Sequence, residues 1–131
     1  MKTNIPIPVR AVDFVMYSAR DMGKLRAWYG EVFGLQPGSE WHKSWSEFAT
    51  EPVALCLNGP SPSEKDYGRW GRNGAIAFAV ADIHAAEKEC RNGKIPIIIG
   101  PVETAVCWMM LISDPEGNDI LLHQRKDGTA G

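Results

Sequence analysis

The hydrophobic pattern of the chain begins with an alternating segment, AVDFVMYSARDM, over residues 11–22. Apolar residues occupy both sets of alternating positions, with Phe14 and Met16 on one face and Val15 and Tyr17 on the other. A strand that is apolar on both faces is covered on both sides. The segment therefore predicts a buried first strand.

A helix and three short strands are predicted after this strand. Asp21 is placed to cap the helix N-terminus, and Gly34 is placed to end the helix. Between them, one apolar stripe with helical spacing predicts a core-facing side: Leu25, Trp28, Tyr29, Val32 and Phe33. Turn-forming residues then separate three short extended segments: 37–42, 44–50 and 53–58.

The same order of elements starts again after a Gly/Pro/Ser-rich connector, residues 59–73. GAIAFAVADIHAAEKEC is again an alternating strand, an aspartate and a helix. Asp82 lies 61 residues after Asp21, and the same shift places Ala75 on Phe14. Three more strands follow: 95–100, 105–113 and 119–124. The repeat predicts two units of one strand, one helix and three strands, each with its helix on one side of a curved, mostly antiparallel sheet.

Composition and charge narrow the classes of function. The net charge is −2 and no Lys/Arg run is present, so no nucleic-acid partner is expected. No run of about 18 apolar residues occurs, so no membrane partner is expected. The three cysteines (Cys56, Cys90 and Cys107) form no CxxC pair, and the N-terminus lacks the apolar stretch of a signal peptide. These features predict reduced thiols and a cytoplasmic location.

Several of these segments resemble the vicinal oxygen chelate superfamily, which contains glyoxalases, extradiol dioxygenases and bleomycin-resistance proteins. They are VDFVMYSARDM, WYGEVFGL, AIAFAVADI, GPVET and, above all, DPEGNDI. The resemblance implies a single α+β domain over residues 1–131, glyoxalase-like, with two tandem βαβββ modules. These modules form a curved, mostly antiparallel eight-stranded sheet around a cavity. Their implied bounds are about 9–58 for module one, 59–73 for the connector and about 74–126 for module two.

The positions at which metal-binding members of this superfamily carry His, Glu or Gln are occupied here by other residues. The resemblance places these positions at Phe14, Ala75, Leu121, and either Ala54 or Cys56. A divalent ion needs three or four oxygen, nitrogen or thiolate donors that converge on one point. The chain is therefore expected to hold no metal in the usual site and to need no cofactor.

A histidine and two acidic residues lie close together near the end of the chain, and they could form an acid–base or metal site. In DPEGNDILLH, Asp114 and Glu116 are turn residues, while His123 shares a strand face with Leu121. Three interpretations of His123 remain: a half-solvated residue at a strand end, a pocket group that binds a ligand or transfers a proton, or a metal ligand.

An apolar pocket is the remaining expectation. Ala75 and Ala77 belong to a row of small side chains, which either lets another sheet approach or leaves room for a ligand. Glu47 alternates with Trp45, and it lies either on a solvated edge or in the pocket, where it could pair with a cationic ligand or with His123. The predicted pocket residues are Phe14, Met16, Trp45, Glu47, Ala75, Ala77, Trp108, Leu121 and His123. Trp41 is a further candidate for the pocket mouth. The connector, which carries Tyr67, Arg69, Trp70 and Arg72, is either a simple surface loop, a mobile lid or a dimer contact.

Two functions follow from these expectations. The first is a metal-free protein that holds a small apolar or aromatic molecule in the cavity between modules, in the manner of the drug-sequestering members of the superfamily. The second is an enzyme with lyase, isomerase or dioxygenase chemistry, which uses Glu47 or His123 as acid or base or holds an atypical metal site. A protein whose cavity is filled by its own side chains is a third, non-chemical possibility. The resemblance also implies a homodimer.

Overall fold

The structure is a computed structural model that describes residues 7–39, 45–59 and 74–131. Eight strands and two helices lie in these residues. The first five elements are β1 (Ala11–Ser18), α1 (Met22–Phe33), β2 (Pro37–Ser39), β3 (Trp45–Phe48) and β4 (Ala54–Asn58). The other five are β5 (Ala75–Ala79), α2 (Ile83–Asn92), β6 (Ile97–Glu103), β7 (Cys107–Ser113) and β8 (Asp119–Arg125). The order confirms two successive βαβββ units in an α+β fold.

The chain divides into two compact units, one formed by Phe14–Ala75 and the other by Met1–Asp13 with Ile76–Gly131. In the first unit the strand order is β2-β3-β4-β1. β1 and β4 are parallel, with Phe14 opposite Ala54, whereas β3 is antiparallel to both β4 and β2. One parallel and two antiparallel pairs agree with the predicted mostly antiparallel sheet.

Helix α1 begins and ends where the sequence predicts. The side chain of Asp21 accepts a hydrogen bond from the backbone N–H of Lys24, and Gly34 has the left-handed conformation that ends a helix, with φ 69°. The predicted core stripe is wrong in part. Trp28 is 48% exposed and Phe33 is 62% exposed, while Tyr29 and Leu25 pack against the core.

The core of this unit lies between α1 and one side of its sheet. Its buried residues are Ala19, Met22, Phe48 and Leu57. The helix contributes mainly the residues of its first turns, since Met22 is its only buried residue. The predicted stripe is longer than the buried part of α1. Helical spacing shows which residues share a face of the helix, but not where along that face the sheet ends.

The second unit repeats the pattern with the strand order β5-β8-β7-β6. β5 and β8 are parallel, while β7 is antiparallel to both β8 and β6. Asp82 caps α2 by accepting hydrogen bonds from the N–H groups of His84 and Ala85. The N–H of Ile83 donates to the side-chain oxygen of Gln124 at 2.8 Å, which anchors the start of the helix to β8.

The core of the second unit lies between α2 and its sheet. Its buried residues are Val80, Ile83, Ala86, Cys90, Met110, Ile112 and Leu122. The α2 stripe that the sequence indicates, with Ile83, Ala86 and Cys90, is therefore buried as expected. No helix in the described ranges is long and apolar enough to cross a membrane.

Some expectations concern residues outside the described ranges. Trp41 and His42 lie there, as do residues 60–73 of the connector with its aromatic and arginine side chains. The proposed lid or mouth therefore stays a prediction.

Candidate functional site

The strand register of the first unit gathers several predicted pocket residues on one face. Paired residues on neighbouring strands share a face of the sheet. Met16 is opposite Cys56, and Cys56 is opposite Glu47, so all three lie on the side of the sheet away from Phe48 and Leu57. Phe14 and Trp45 follow by alternation along their strands. This group (Phe14, Met16, Trp45, Glu47 and Cys56) is called the outer face below.

Trp45 and Glu47 are directly bonded on the outer face. The indole Nε1 of Trp45 donates a hydrogen bond to Glu47 Oε1 at 3.0 Å. The Trp45 ring also meets the Phe14 ring edge to face, with the ring centroids 5.8 Å apart and the planes at 84°. Both Trp45 and Glu47 are half-buried, whereas Phe14 and Met16 are buried. The arrangement is a carboxylate oriented by an indole, beside an aromatic pair.

The row of small residues on β5 is buried. Ala75 is 6% exposed, Ala77 0% and Ala79 2%. In the parallel register, Ala77 is opposite Leu121 and Ala79 is opposite His123. The alanines of β5 thus lie on one face of the strand, as predicted. Whether they line a ligand cavity stays a prediction.

His123 is buried and paired, which excludes a half-solvated position at a strand end. Its Nδ1 lies 2.5 Å from Oδ2 of Asp13, and the side chains of His123 and Asp13 are 7% and 0% exposed. Sequence reasoning missed Asp13. The available signal was a single carboxylate within an otherwise apolar strand, since a buried charge requires a partner.

Asp13 has further partners around its second oxygen. Oδ1 accepts a hydrogen bond from the backbone N–H of Gly131 at 2.7 Å, and Arg125 Nη2 lies 3.6 Å away. The Arg125 guanidinium, the Gly131 N–H and the imidazole of His123 therefore compensate the burial of this carboxylate. The result is a buried acid–base pair, with the imidazole held in place by the carboxylate.

Trp108 lies on the other side of its sheet from Leu121 and His123. It is opposite Gln124 and packs against the core under α2. Its ring meets the His84 ring at 4.8 Å, and Lys126 Nζ lies 5.6 Å from its centroid. We therefore leave Trp108 out of the proposed ligand site.

The residues at the metal positions implied by the resemblance do not fit a metal ion. Phe14, Ala54, Ala75 and Leu121 offer no donor atom, and the β1–β4 register places Cys56 opposite Met16 rather than opposite Phe14. Within the described ranges, no three His, Cys, Asp or Glu side chains are grouped closely enough to hold a metal. Glu47 and the Asp13–His123 pair belong to different compact units.

The acidic turn before β8 is structural. Asp114 Oδ1 accepts hydrogen bonds from the N–H groups of Glu116 and Asn118, and Oδ2 accepts one from the Asn118 side chain. These bonds, above all those from Asn118, lower the pKa of Asp114. The turn chemistry predicted for Asp114 is therefore what the structure shows.

Comparison with known proteins agrees with this fold. The family model described as Glyoxalase/Bleomycin resistance protein/Dioxygenase superfamily matches residues 11–122. None of the curated protein sequences matches the chain.

Three solved structures with the same fold belong to proteins with different names. A glyoxalase/bleomycin resistance protein/dioxygenase superfamily member from Vibrio splendidus 12B01 has 15% identity and a TM-score of 0.61, and the match covers 89% of this chain and 99% of that one. Methylmalonyl-CoA epimerase from Mycobacterium tuberculosis has 18% identity and a TM-score of 0.65, with 88% of each chain covered. A protein from Legionella pneumophila described as NAD-dependent benzaldehyde dehydrogenase has 14% identity and a TM-score of 0.67, with 86% and 98% covered. At these identities the likeness concerns the fold alone.

Proposed function

The chain belongs to the glyoxalase/bleomycin resistance protein/dioxygenase superfamily, and within it we propose that this protein binds a small, largely aromatic organic molecule without a metal ion. The binding site is the outer face of the first unit. The observation that carries the proposal is the hydrogen bond of 3.0 Å between Trp45 Nε1 and Glu47 Oε1, beside the Phe14 ring.

The chemistry of this face favours an aromatic ligand that carries a donor or a positive charge. Trp45 is half-buried and offers its ring for stacking, while the buried Phe14 ring packs edge to face against it and holds it in place. The indole N–H holds one oxygen of Glu47, so the carboxylate has a defined direction. A fixed carboxylate beside aromatic rings attracts ammonium or amidine groups more than it attracts anions.

A calorimetric titration with three matched probes tests the proposal: benzylammonium, benzyl alcohol and benzoate. We expect benzylammonium to bind most tightly and benzoate least tightly. Glu47→Gln keeps the shape of the side chain and should lower the affinity for benzylammonium by about tenfold, while leaving benzyl alcohol nearly unchanged. Equal affinity of the wild type and Glu47→Gln for benzylammonium would contradict the proposed role of the carboxylate.

A matched pair of tryptophan variants tests the place of binding. Trp45→Phe removes the indole donor to Glu47, whereas Trp28→Phe changes a 48% exposed residue on α1. Only Trp45→Phe should weaken binding. Elemental analysis of the purified protein tests the metal-free part, because one tightly bound zinc, iron or nickel ion per subunit would refute it.

Metal-free catalysis is the second candidate, and the buried Asp13–His123 pair favours it. A histidine held by a carboxylate is suited to accept a proton from a substrate, and Glu47 is the alternative base. If the protein is an enzyme of this kind, His123→Gln or Glu47→Gln abolishes turnover and leaves ligand affinity largely intact. Loss of affinity without any turnover in the wild type would support the binding protein instead.

The homodimer implied by the resemblance also stays a proposal. Sedimentation equilibrium measures it directly, since a monomer mass of 14.5 kDa is readily separated from twice that value.

A further inference from the structure

Residues 127–131, which lie after β8, contact the buried Asp13–His123 pair through Asp13, and we call this segment the strap. The N–H of Gly131 donates to Asp13 Oδ1 at 2.7 Å, and Arg125 Nη1 donates to the carbonyl oxygen of Gly131 at 3.2 Å. Arg10 Nη1 donates to the carbonyl oxygen of Gly128, also at 3.2 Å. Arg125 Nη1 also donates to the Thr129 hydroxyl at 3.4 Å, and the N–H of Gly128 donates to the carbonyl oxygen of Arg125 at 3.1 Å. Hydrogen bonds therefore hold the strap to β1, to β8 and to the residue before β1.

We propose that the strap is a gate, which in the closed state separates the Asp13–His123 pair from solvent and in the open state makes the pair available for proton exchange. The proposal is independent of the ligand site on the outer face, because all of its residues belong to the other compact unit. It concerns access to His123, whether or not the protein catalyses a reaction.

The contacts of the strap are of the kind that opens locally. Asp127, Gly128, Thr129 and Gly131 are all exposed, and the strap is held by hydrogen bonds rather than by buried apolar side chains. Segments with few apolar contacts and exposed hydrogen bonds open at much lower free energy than the core. The pair beneath is different, because Asp13 is 2% exposed and His123 is 6% exposed.

The internal structure of the strap favours a segment that moves as one piece. Asp127 Oδ1 accepts hydrogen bonds from the N–H of Thr129 at 2.9 Å and from its hydroxyl at 2.7 Å. Such a local turn persists when the bonds to Asp13 and Arg125 break. Once the strap is open, Asp13 Oδ1 loses the N–H of Gly131 and gains water. The imidazole of His123, bonded to the other oxygen, is then beside solvent.

Modification of histidine by diethylpyrocarbonate, located by peptide mass spectrometry, measures the access directly. His84, whose side chain is 60% exposed, serves as the internal reference in the same sample. Gly131→Pro removes the N–H that donates to Asp13, and a chain of residues 1–126 removes the strap entirely. Ala130→Ser is the control, since it keeps every backbone donor of the strap.

We expect Gly131→Pro and the shortened chain to raise the ratio of His123 to His84 modification by about tenfold or more, the effect of losing a hydrogen bond to a charged acceptor. Ala130→Ser should leave the ratio unchanged. Labelling of Cys90, which is 0% exposed in the core under α2, reports global unfolding in the same samples. An unchanged ratio in both variants would overturn the proposal, as would a rise that parallels labelling of Cys90.

A reversible lock provides the opposite test. A Cβ atom placed at Gly131 lies 3.6 Å from the Cβ of Ala11, a separation that suits a disulfide. Gly131 has φ 90°, which is strained for cysteine, so formation of the bridge in Ala11→Cys/Gly131→Cys is verified by mass before the assay. Diethylpyrocarbonate should modify His123 more slowly in the oxidised form of this variant than in its reduced form. Equal rates in the two forms would also overturn the gate.

Discussion

His123 Nδ1 lies 2.5 Å from Asp13 Oδ2, and this contact joins residues that are 110 positions apart in the chain. The side chain of Asp13 has no exposed surface. A buried pair of this kind contributes little net stability when intact, but removal of one partner leaves a charge or a polar group without compensation in the interior.

The first prediction concerns this pair. Asp13→Ala or His123→Ala should each lower the free energy of unfolding by about 3–5 kcal/mol, because the remaining partner stays buried. The double variant should lose less than the sum of the two single losses. Urea denaturation measures all three values.

A surface pair serves as the control for this cycle. Lys126 Nζ lies 2.5 Å from Glu103 Oε2, but the two side chains are 35% and 52% exposed. Lys126→Ala should therefore cost no more than about 1 kcal/mol. Equal costs for the buried and the exposed pair would refute the argument from burial.

The second prediction tests where the core of the first unit ends. Phe48 is 0% exposed, whereas Phe33, at the end of α1, is 62% exposed. Phe48→Ala should lower the free energy of unfolding by about 3–5 kcal/mol through loss of burial and formation of a cavity. Phe33→Ala should change it by less than about 1 kcal/mol. If Phe33→Ala lowered the free energy of unfolding as much as Phe48→Ala, the core would include the whole predicted stripe of α1.

The third prediction concerns the pH dependence of the turn before β8. Hydrogen bonds from Asn118 hold the pKa of Asp114 below the ordinary aspartate value of 3.8. The stabilising contribution of the carboxylate is therefore present above that pH and is lost as the pH falls through the lower pKa of the folded state. Asp114→Ala should have a lower Tm than the wild type at pH 7.

Thermal melts between pH 7 and pH 2 measure this difference, which should shrink as the solution becomes acidic. Glu116→Ala is the control, because the backbone N–H of residue 116 still donates to Asp114. A difference in Tm that stays constant down to the lowest pH would contradict the assignment.

The fourth prediction concerns the thiols of the second unit. Burial raises the pKa of both Cys90 and Cys107 above the ordinary thiol value of 9.0, although Arg91 acts in the opposite direction on Cys90. Both thiols are therefore neutral at pH 7.5, and iodoacetamide should label them far more slowly in the folded protein than in urea. Because their pKa is raised in the folded state, their contribution to stability is present below about pH 9 and is lost as the pH rises. Rapid labelling of Cys90 in the folded protein would instead identify an activated thiol.

Local features of the chain were predictable from the sequence. The caps Asp21, Gly34 and Asp82 are confirmed, because capping depends on the conformation and bonds of a few successive residues. The order of strands and helices is confirmed too, since alternation and helical spacing act within each segment. The substitutions at Phe14, Ala75 and Leu121, which argue against the usual metal site, can also be read directly from the sequence.

Contacts between distant segments required the tertiary structure. The register that places Glu47 opposite Cys56 depends on how β3 and β4 pair, and a shift of one residue would have turned Glu47 to the helix side. The exposure of Trp28 depends on where the sheet ends under α1. The sequence by itself determined which segments form strands and helices, because that choice depends on local spacing. Only the tertiary structure paired Asp13 with His123, because the burial of a charge and the identity of its partner depend on the packing of strands far apart in the chain.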